Sequence, residues 1–358
     1  MAARPAVDEE AVRRFALTVW SYRMGETVSL LVHLGDRLGI YREMAGTGPL
    51  TSDEVADRTR LHERFVREWL LAQAAAGLID RHDDGRFELT PVQAAVLADE
   101  HGSVAFAAGA FGGGTDRAVV DAIAESFRTG HGITYDDLGP EAAATVARLN
   151  EPWYRLALVR EVLPRLDGVV ERLEAGADVV EVGSGAGVAL TALAAAFPAS
   201  RFVGFDPSEH ATELARGRVE EAGLTNVEVV PSGVEELPAE PSFDLALALD
   251  CLHDLPRADE AARAIRSVLH DDGAWLVREV RSSGDFDRDR RNPLLAMLYG
   301  FSVTACLQSG MSEPDGLGLG TLGLHPGRLE TLVRDAGFAS VTTHDIGDPA
   351  NLYHEVRP

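Results

Sequence analysis

The sequence contains no lysine: its 33 basic residues are all arginine, set against 57 Asp and Glu, for a formal net charge of -24. Nucleic-acid binding rests on neutralising phosphates with basic side chains, so this balance argues against a polyanionic substrate. Cysteine is nearly missing too. Cys251 and Cys306 are the only two, which excludes a disulfide framework and a zinc site built from cysteines. The histidines are scattered, with no pair at metal-ligand spacing on a helix, and no metal is expected. Long apolar runs are also lacking. The stretches 104–111 and 190–197 fall well short of the roughly 20 residues a membrane span needs. The N-terminus, MAARPAVDEE, has no basic-then-apolar secretory pattern, so a cytoplasmic protein away from the membrane is expected.

What is present is ordinary for a globular protein: 358 residues, 46% apolar and 25% charged, enough for two domains. Residues 8–46 read as helical, with Val12, Phe15, Val19, Tyr22 and Met24 near one stripe and Leu30, Leu34 and Leu38 continuing at four-residue spacing. Thr51-Ser-Asp-Glu54 is a capping-box pattern opening a helix that ends near Arg58. A longer helix over 62–76 stops at Gly77. Segments 78–80 and 86–90 then flank a turn at Asp83-Asp84-Gly85. Two short helices followed by a hairpin make a winged helix, which reads as a DNA reader or as a dimerisation module. Residues 47–100 hold 6 Arg against 11 Asp and Glu, a net of -5. A DNA reader carries a basic footprint, so the dimerisation reading is favoured.

Residues 101–176 look mainly helical, broken at Gly112-Gly113-Gly114 and over 130–139. From Asp178 the pattern becomes strand–helix alternation, the signature of a parallel sheet covered on both faces. Strands are expected at 179–182, 201–205, 227–230, 245–249 and 275–279, with a final hairpin pairing 340–346 with 352–356. The expected fold is α/β, a Rossmann-like sheet of five parallel strands plus a C-terminal hairpin, behind a mostly helical winged-helix domain. The expected domains are 1–100, a linking and pocket segment 101–176, and a catalytic domain 177–358 with a lid insertion at 281–326.

The strongest chemical signal is EVGSGAG at 181–187, which follows an apolar strand and opens a helix. Glycines there let the backbone turn sharply and approach a ligand. Asp206 stands nineteen residues after Gly187, at the end of the next strand, where a carboxylate can accept hydrogen bonds from both ribose hydroxyls. Together they indicate an adenosine-type ligand. A dinucleotide fingerprint spaces its glycines G-x-G-x-x-G. Here the spacing is G-x-G-x-G with Val188 next, and Glu181 stands two residues before the first glycine.

With FVGFD at 202–206, FDLALALDCLHDL at 243–255, DDGAWLVRE at 271–279 and DAGF at 335–338, the chain resembles the class I S-adenosyl-L-methionine (SAM)-dependent methyltransferases that carry an N-terminal winged-helix dimerisation domain. It is similar to both the plant-type small-molecule O-methyltransferases and a related bacterial group, over about residues 20–358. The resemblance implies that Glu181, Gly183, Ser184, Gly185 and Gly187 line the methionine and ribose portion of SAM. It places Asp206, with Pro207, at the ribose hydroxyls, Gly233 and Val234 beside the adenine, and Asp250 and Cys251 near the methionine end. Where the family offers an acidic side chain to the adenine amino group, this chain has Gly233, leaving a backbone contact from Val234.

His253, inside Asp250-Cys-Leu-His-Asp254, matches the family's general base. A neutral imidazole suits that role near pH 7. The other reading of His253 is a helix-capping or core histidine. Glu279 matches the carboxylate that orients the base, with Asp254 beside it; its other reading is a strand-end carboxylate bonded to backbone amides. A second family carboxylate falls near Gly323, where this chain offers only the neighbouring His325. In the 281–326 insertion, an apolar helix over 294–307 carries Met297, Tyr299 and Phe301. The glycine-rich 317–324 is expected to be mobile, as in a lid. Tyr135, Tyr154 and Asp116 are further pocket candidates. The implied activity is methyl transfer to a small molecule, most simply to oxygen, by a homodimer; nitrogen and carbon acceptors stay open. The alternatives are a SAM-binding transcription regulator and a non-methylating enzyme on the same fold.

Overall fold

The computed structural model describes residues 8–358. The chain divides into two compact units, parting between Gly114 and Thr115.

The first unit opens with α1 (Glu9–Arg37), capped by the Asp8 carboxylate, which accepts from the Glu10 and Ala11 amides. Gly39, at φ +73°, turns the chain out of α1 into α2 (Ile40–Met44), so the expected 8–46 helix is two helices. The apolar stripe of α1 is not buried within the chain: Val12, Phe15, Val19, Tyr22 and Met24 are all more than half exposed. Helix α3 (Ser52–Thr59) has the expected capping box, with Glu54 N donating to Thr51 Oγ1 at 3.2 Å and Thr51 N to Glu54 Oε2 at 2.7 Å. Helix α4 (Glu63–Ala75) follows. Then come β1 (Asp80–Arg81), β2 (Phe87–Glu88) and α5 (Pro91–Leu97), the last with a second capping box from Thr90 and Gln93. The wing strands are shorter than their patterns suggest. Leu78 N still closes the end of α4 on Gln73 O at 3.0 Å, which delays the first strand. The core gathers Val32, Ile40, Tyr41, Val55, Trp69 and Leu70. Tyr41 packs edge-on against Trp69 and donates to Gln73 Oε1.

The second unit starts with α6 (Arg117–Thr129) and α7 (Pro140–Trp153), which runs into a π-helical turn at Tyr154–Val162. After α8 (Val169–Ala175), strands and helices alternate: β3 (Asp178–Val182), α9 (Val188–Ala196), β4 (Arg201–Phe205), α10 (Glu209–Glu221), β5 (Val227–Val230), β6 (Phe243–Leu249), α11 (Ala258–Val268) and β7 (Leu269–Val280). The insertion holds α12 (Phe286–Asp289), α13 (Leu295–Phe301), a π turn at Ser302–Cys306 and α14 (Leu307–Gly310). Helix α15 (Pro326–Asp335), β8 (Ser340–His344) and β9 (Asn351–Arg357) end the chain. The sheet order is β5-β4-β3-β6-β7-β9-β8, with five parallel strands and an antiparallel closing pair.

The central strands are apolar on both faces because both are covered. Val179, Leu245, Leu247 and Leu276 pack under α9 and the π turn. Val180, Ala246, Trp275 and Val277 face Ile265 and Val268 of α11 and Leu329 of α15. The glycine-rich 317–324 stretch is packed rather than loose: Leu317 N donates to Pro256 O at 2.9 Å, and Leu322 and Leu324 are buried. The chain leaves β3 toward β4 on one side, while β6 pairs on the other. Crevices at such a reversal, beyond the carboxyl ends of the strands, take ligands in open α/β sheets.

Candidate active site

The EVGSGAG turn sits at that crevice. Gly183 and Gly185 adopt φ +69° and +52°, a region L side chains rarely enter. A Cβ on Gly183 would meet Cys251 Sγ at 2.7 Å, whereas a Cβ on Gly185 would meet nothing within 4 Å. The first glycine is needed for packing, and the second opens onto free space. Asp206 braces the turn: Oδ2 accepts from Gly185 N at 2.8 Å and Oδ1 from Ser208 N at 2.9 Å. Burial pushes the Asp206 carboxyl up. Glu181, 2% exposed, is pushed up to about 8 by burial and by the charge of Asp206, and its Oε2 has no hydrogen-bond partner.

These residues line a cavity of about 410 Å³, together with Pro207, Ser208, Asp250, Asp254, Ser309 and Glu313. Its described lining includes no arginine. A pyrophosphate would find no guanidinium or ammonium partner in that lining. An adenosine joined to a positively charged sulfonium fits, with acids along its length and the orphaned Glu181 oxygen in need of a donor. Residues 134–136 close one side. Asp136 accepts from Ser208 Oγ and, at 3.0 Å, from Glu209 N at the start of α10.

Behind Asp250 lies a buried cation. Arg278 on β7 reaches Asp250 Oδ2 at 2.6 Å and donates to Asn150, Tyr154 and Asn351 at 2.9–3.0 Å. Its guanidinium lies over the rings of Trp153 and Tyr154 at 4.7 and 5.2 Å. Asp250 itself holds φ +58°, and its Oδ1 accepts from Asn351 Nδ2 at 2.7 Å. Backbone strain of this kind persists where surroundings over-determine it. Cys251 is fixed alongside, its thiol donating to Val182 O at 3.1 Å.

Next to Asp254, His253 is almost wholly buried on a short helical turn after β6. Its Nδ1 lies 2.5 Å from Glu279 Oε2 and its Nε2 3.2 Å from Asp254 Oδ1. Burial works against its charge, but the carboxylates of Glu279 and Asp254 outweigh burial and hold the imidazole well above its usual value. Tyr135 donates to Asp254 Oδ2 at 2.8 Å. Burial, reinforced by Asp254, keeps this phenol protonated.

The cavity lining therefore includes Glu181, Gly183, Ser184, Gly185, Asp206, Pro207, Asp250, Cys251, Asp254, Tyr135 and Tyr154. His253 and Glu279 are not in that lining; His253 meets it through Asp254 Oδ1, and Glu279 meets His253. The other expected residues lie elsewhere. Gly187 packs on Ala215. Gly233 N is taken by Glu235, and neither it nor Val234 lines the cavity. Met297 and Tyr299 are on the outward face of α13, 47% and 43% exposed. His325 is the residue before α15, against Gly284, and Asp116 caps α6. Sequence reasoning missed Asp136, Ser208 and Arg278. Only Arg278 left a signal, as a lone arginine within the apolar strand WLVREV.

Residues 173–302 match the family described as methyltransferase domain, and residues 26–99 match the Rv2258c-like winged HTH domain. The chain is 28% identical over 298 residues to the mitomycin biosynthesis 6-O-methyltransferase of Streptomyces lavendulae, covering 77% of this chain and 78% of that one. Among solved structures it resembles human N-acetylserotonin methyltransferase in complex with SAM (TM-score 0.68, 19% identity, 99% of each chain). It also resembles the mitomycin 7-O-methyltransferase (TM-score 0.66, 20% identity, 98% of this chain and 100% of that one). A third is the neocarzinostatin-biosynthesis O-methyltransferase bound to SAM and 2-hydroxy-5-methyl naphthoic acid (TM-score 0.58, 21% identity, 92% of this chain and 96% of that one). At these identities the solved structures establish the fold.

Proposed function

We propose that this chain, a SAM-dependent methyltransferase with an N-terminal winged-helix domain, methylates a hydroxyl oxygen of a small, planar or apolar acceptor. The observation that carries the reading is one cavity lined both by Asp206 and Glu181 and by Asp254 and Tyr135. An oxygen acceptor agrees with the 6-O-methyltransferase relative, and a planar one with the naphthoic acid held by the neocarzinostatin enzyme.

SAM supplies a methyl group activated by its sulfonium. Glu181, Asp206 and Asp250 hold and orient the ligand that carries it. Asp254, at the wall, accepts the hydrogen bond of the acceptor hydroxyl and presents its oxygen to the methyl. The departing proton passes by way of Asp254, whose Oδ1 lies 3.2 Å from His253 Nε2, to that nitrogen, with Glu279 on Nδ1 fixing the ring and stabilising the imidazolium. In the ligand-free chain His253 is held protonated, so the form able to act as base grows only as pH rises through a value well above the usual imidazole one. Positioning alone can lower the barrier by about 7–11 kcal/mol in ideal geometry, and a base adds about 10²–10⁴-fold.

The reading includes a cytoplasmic homodimer formed through the first unit and no nucleic-acid partner. The arginines of α4 support the last point: Arg64 is paired with Glu68 and Arg67 with Glu63 on the same helix, leaving a recognition helix without free positive charge. No described helix is long and apolar enough to cross a membrane.

The test is turnover of SAM against phenols, catechols, small carboxylic acids and amines, reading S-adenosylhomocysteine by mass spectrometry with wild type and His253→Ala side by side. The reading predicts turnover on a hydroxyl acceptor, reduced about 10²–10⁴-fold in the variant. Turnover confined to amines, or undiminished in the variant, contradicts it.

A further inference from the structure

Among the described residues, one group of side chains has the makings of a metal site: His253, Asp254 and Cys306, all buried, whose donor atoms lie within 4.8 Å of one another. Ligands about 2.0–2.3 Å from a tetrahedral zinc ion stand roughly 3.3–3.8 Å apart, so a small contraction brings all three onto one ion. Two further features are those of a cation site. Asp254 is 8% exposed, and its Oδ1, facing His253 Nε2 across 3.2 Å, makes no hydrogen bond. Glu279 holds the opposite ring nitrogen at 2.5 Å, the carboxylate–histidine–metal arrangement that orients a ligating imidazole. Asp254 also lines the cavity, which provides an entry path to the buried pair His253 and Cys306.

We propose that this wall of the cavity binds a borderline-soft divalent cation of the zinc class through His253 Nε2, an Asp254 carboxylate oxygen and Cys306 Sγ. Imidazole, carboxylate and thiolate form a donor set suited to zinc and unsuited to magnesium or calcium, which take oxygen ligands. Binding releases the thiol proton of Cys306 and the proton that the ligand-free His253 carries on Nε2, and it occupies the lone pair that the proposed methyl transfer uses. Zinc would therefore compete with the acceptor's proton for His253. Cys306 lies far from His253 in the chain, so no ligand spacing was visible in the sequence.

Cobalt(II) titrated into the full-length, chelator-stripped chain tests this without SAM or acceptor. The expected result is a thiolate-to-cobalt absorption that saturates at one equivalent and is displaced by zinc. It should persist in Cys251→Ala, disappear in Cys306→Ala and need at least about tenfold more cobalt in Asp254→Asn, one lost ligand costing roughly 1.4 kcal/mol or more. No absorption in wild type, or absorption unchanged in Cys306→Ala, overturns the site. Zinc that binds in this way yet leaves turnover untouched supports the site and counts against His253 as the base, so the two readings fail separately.

Discussion

Glu181 and Asp206 are neighbouring acids with no arginine among the described residues of the cavity they line. Burial raises both; the charge of Asp206 adds to it at Glu181, taking that carboxyl to about 8, and the charge of Asp136 adds to it at Asp206. At pH 7 the ligand-free Glu181 is therefore largely neutral, and a positively charged ligand beside it must drive its proton off. SAM binding at pH 7 is predicted to release about one proton to the buffer, with affinity rising as pH climbs to about 8 and levelling above. The direction follows from the raised carboxylate: only its ionised form meets the ligand's charge, and that form is scarce below its own pKa. Calorimetry in buffers of different ionisation enthalpy measures this. An enthalpy independent of buffer, or a release that survives in Glu181→Gln, contradicts the assignment.

At the scale of elements, α1 is the part of the fold whose sequence pattern and structure disagree most instructively. Its apolar residues recur at helical spacing, yet Phe15, Trp20 and Tyr22 are 69%, 65% and 72% exposed. A stripe this apolar, left open to water, marks an interaction face, and the proposed occupant is a second copy of the chain. Sedimentation at micromolar concentration is predicted to show a dimer for wild type and a folded monomer for Trp20→Asp. A wild-type monomer would remove the dimer from the account. The strands and capping boxes were legible because their signals are local. Period-two and continuous apolar runs, and Thr51 with Glu54 three residues on, need no knowledge of the rest of the chain. The wing strands were overread because Leu78 serves the end of α4 before any strand begins.

At the scale of the molecule, the site was half legible. The turn, Asp206, Asp250, Cys251 and the His253–Glu279 pairing were visible because motif and strand end coincide in each. The Arg278 cage was not, since Asn150, Trp153, Tyr154 and Asn351 reach it from distant segments. Neither was the Asp136 contact to Ser208, 72 residues away. Met297 and Tyr299 lie outside the cavity lining for the converse reason: aromatic and sulfur-bearing side chains on a helix do not say which face will turn inward. The central claim, that the acidic cavity at the end of β3 is the SAM site, is tested most directly by SAM calorimetry on wild type and Asp206→Ala, with circular dichroism confirming the fold of both. The account predicts one SAM per wild-type chain and a variant weaker by about 1–3 kcal/mol, roughly 5–150-fold. Unchanged affinity in the variant, or no binding to wild type, would contradict it.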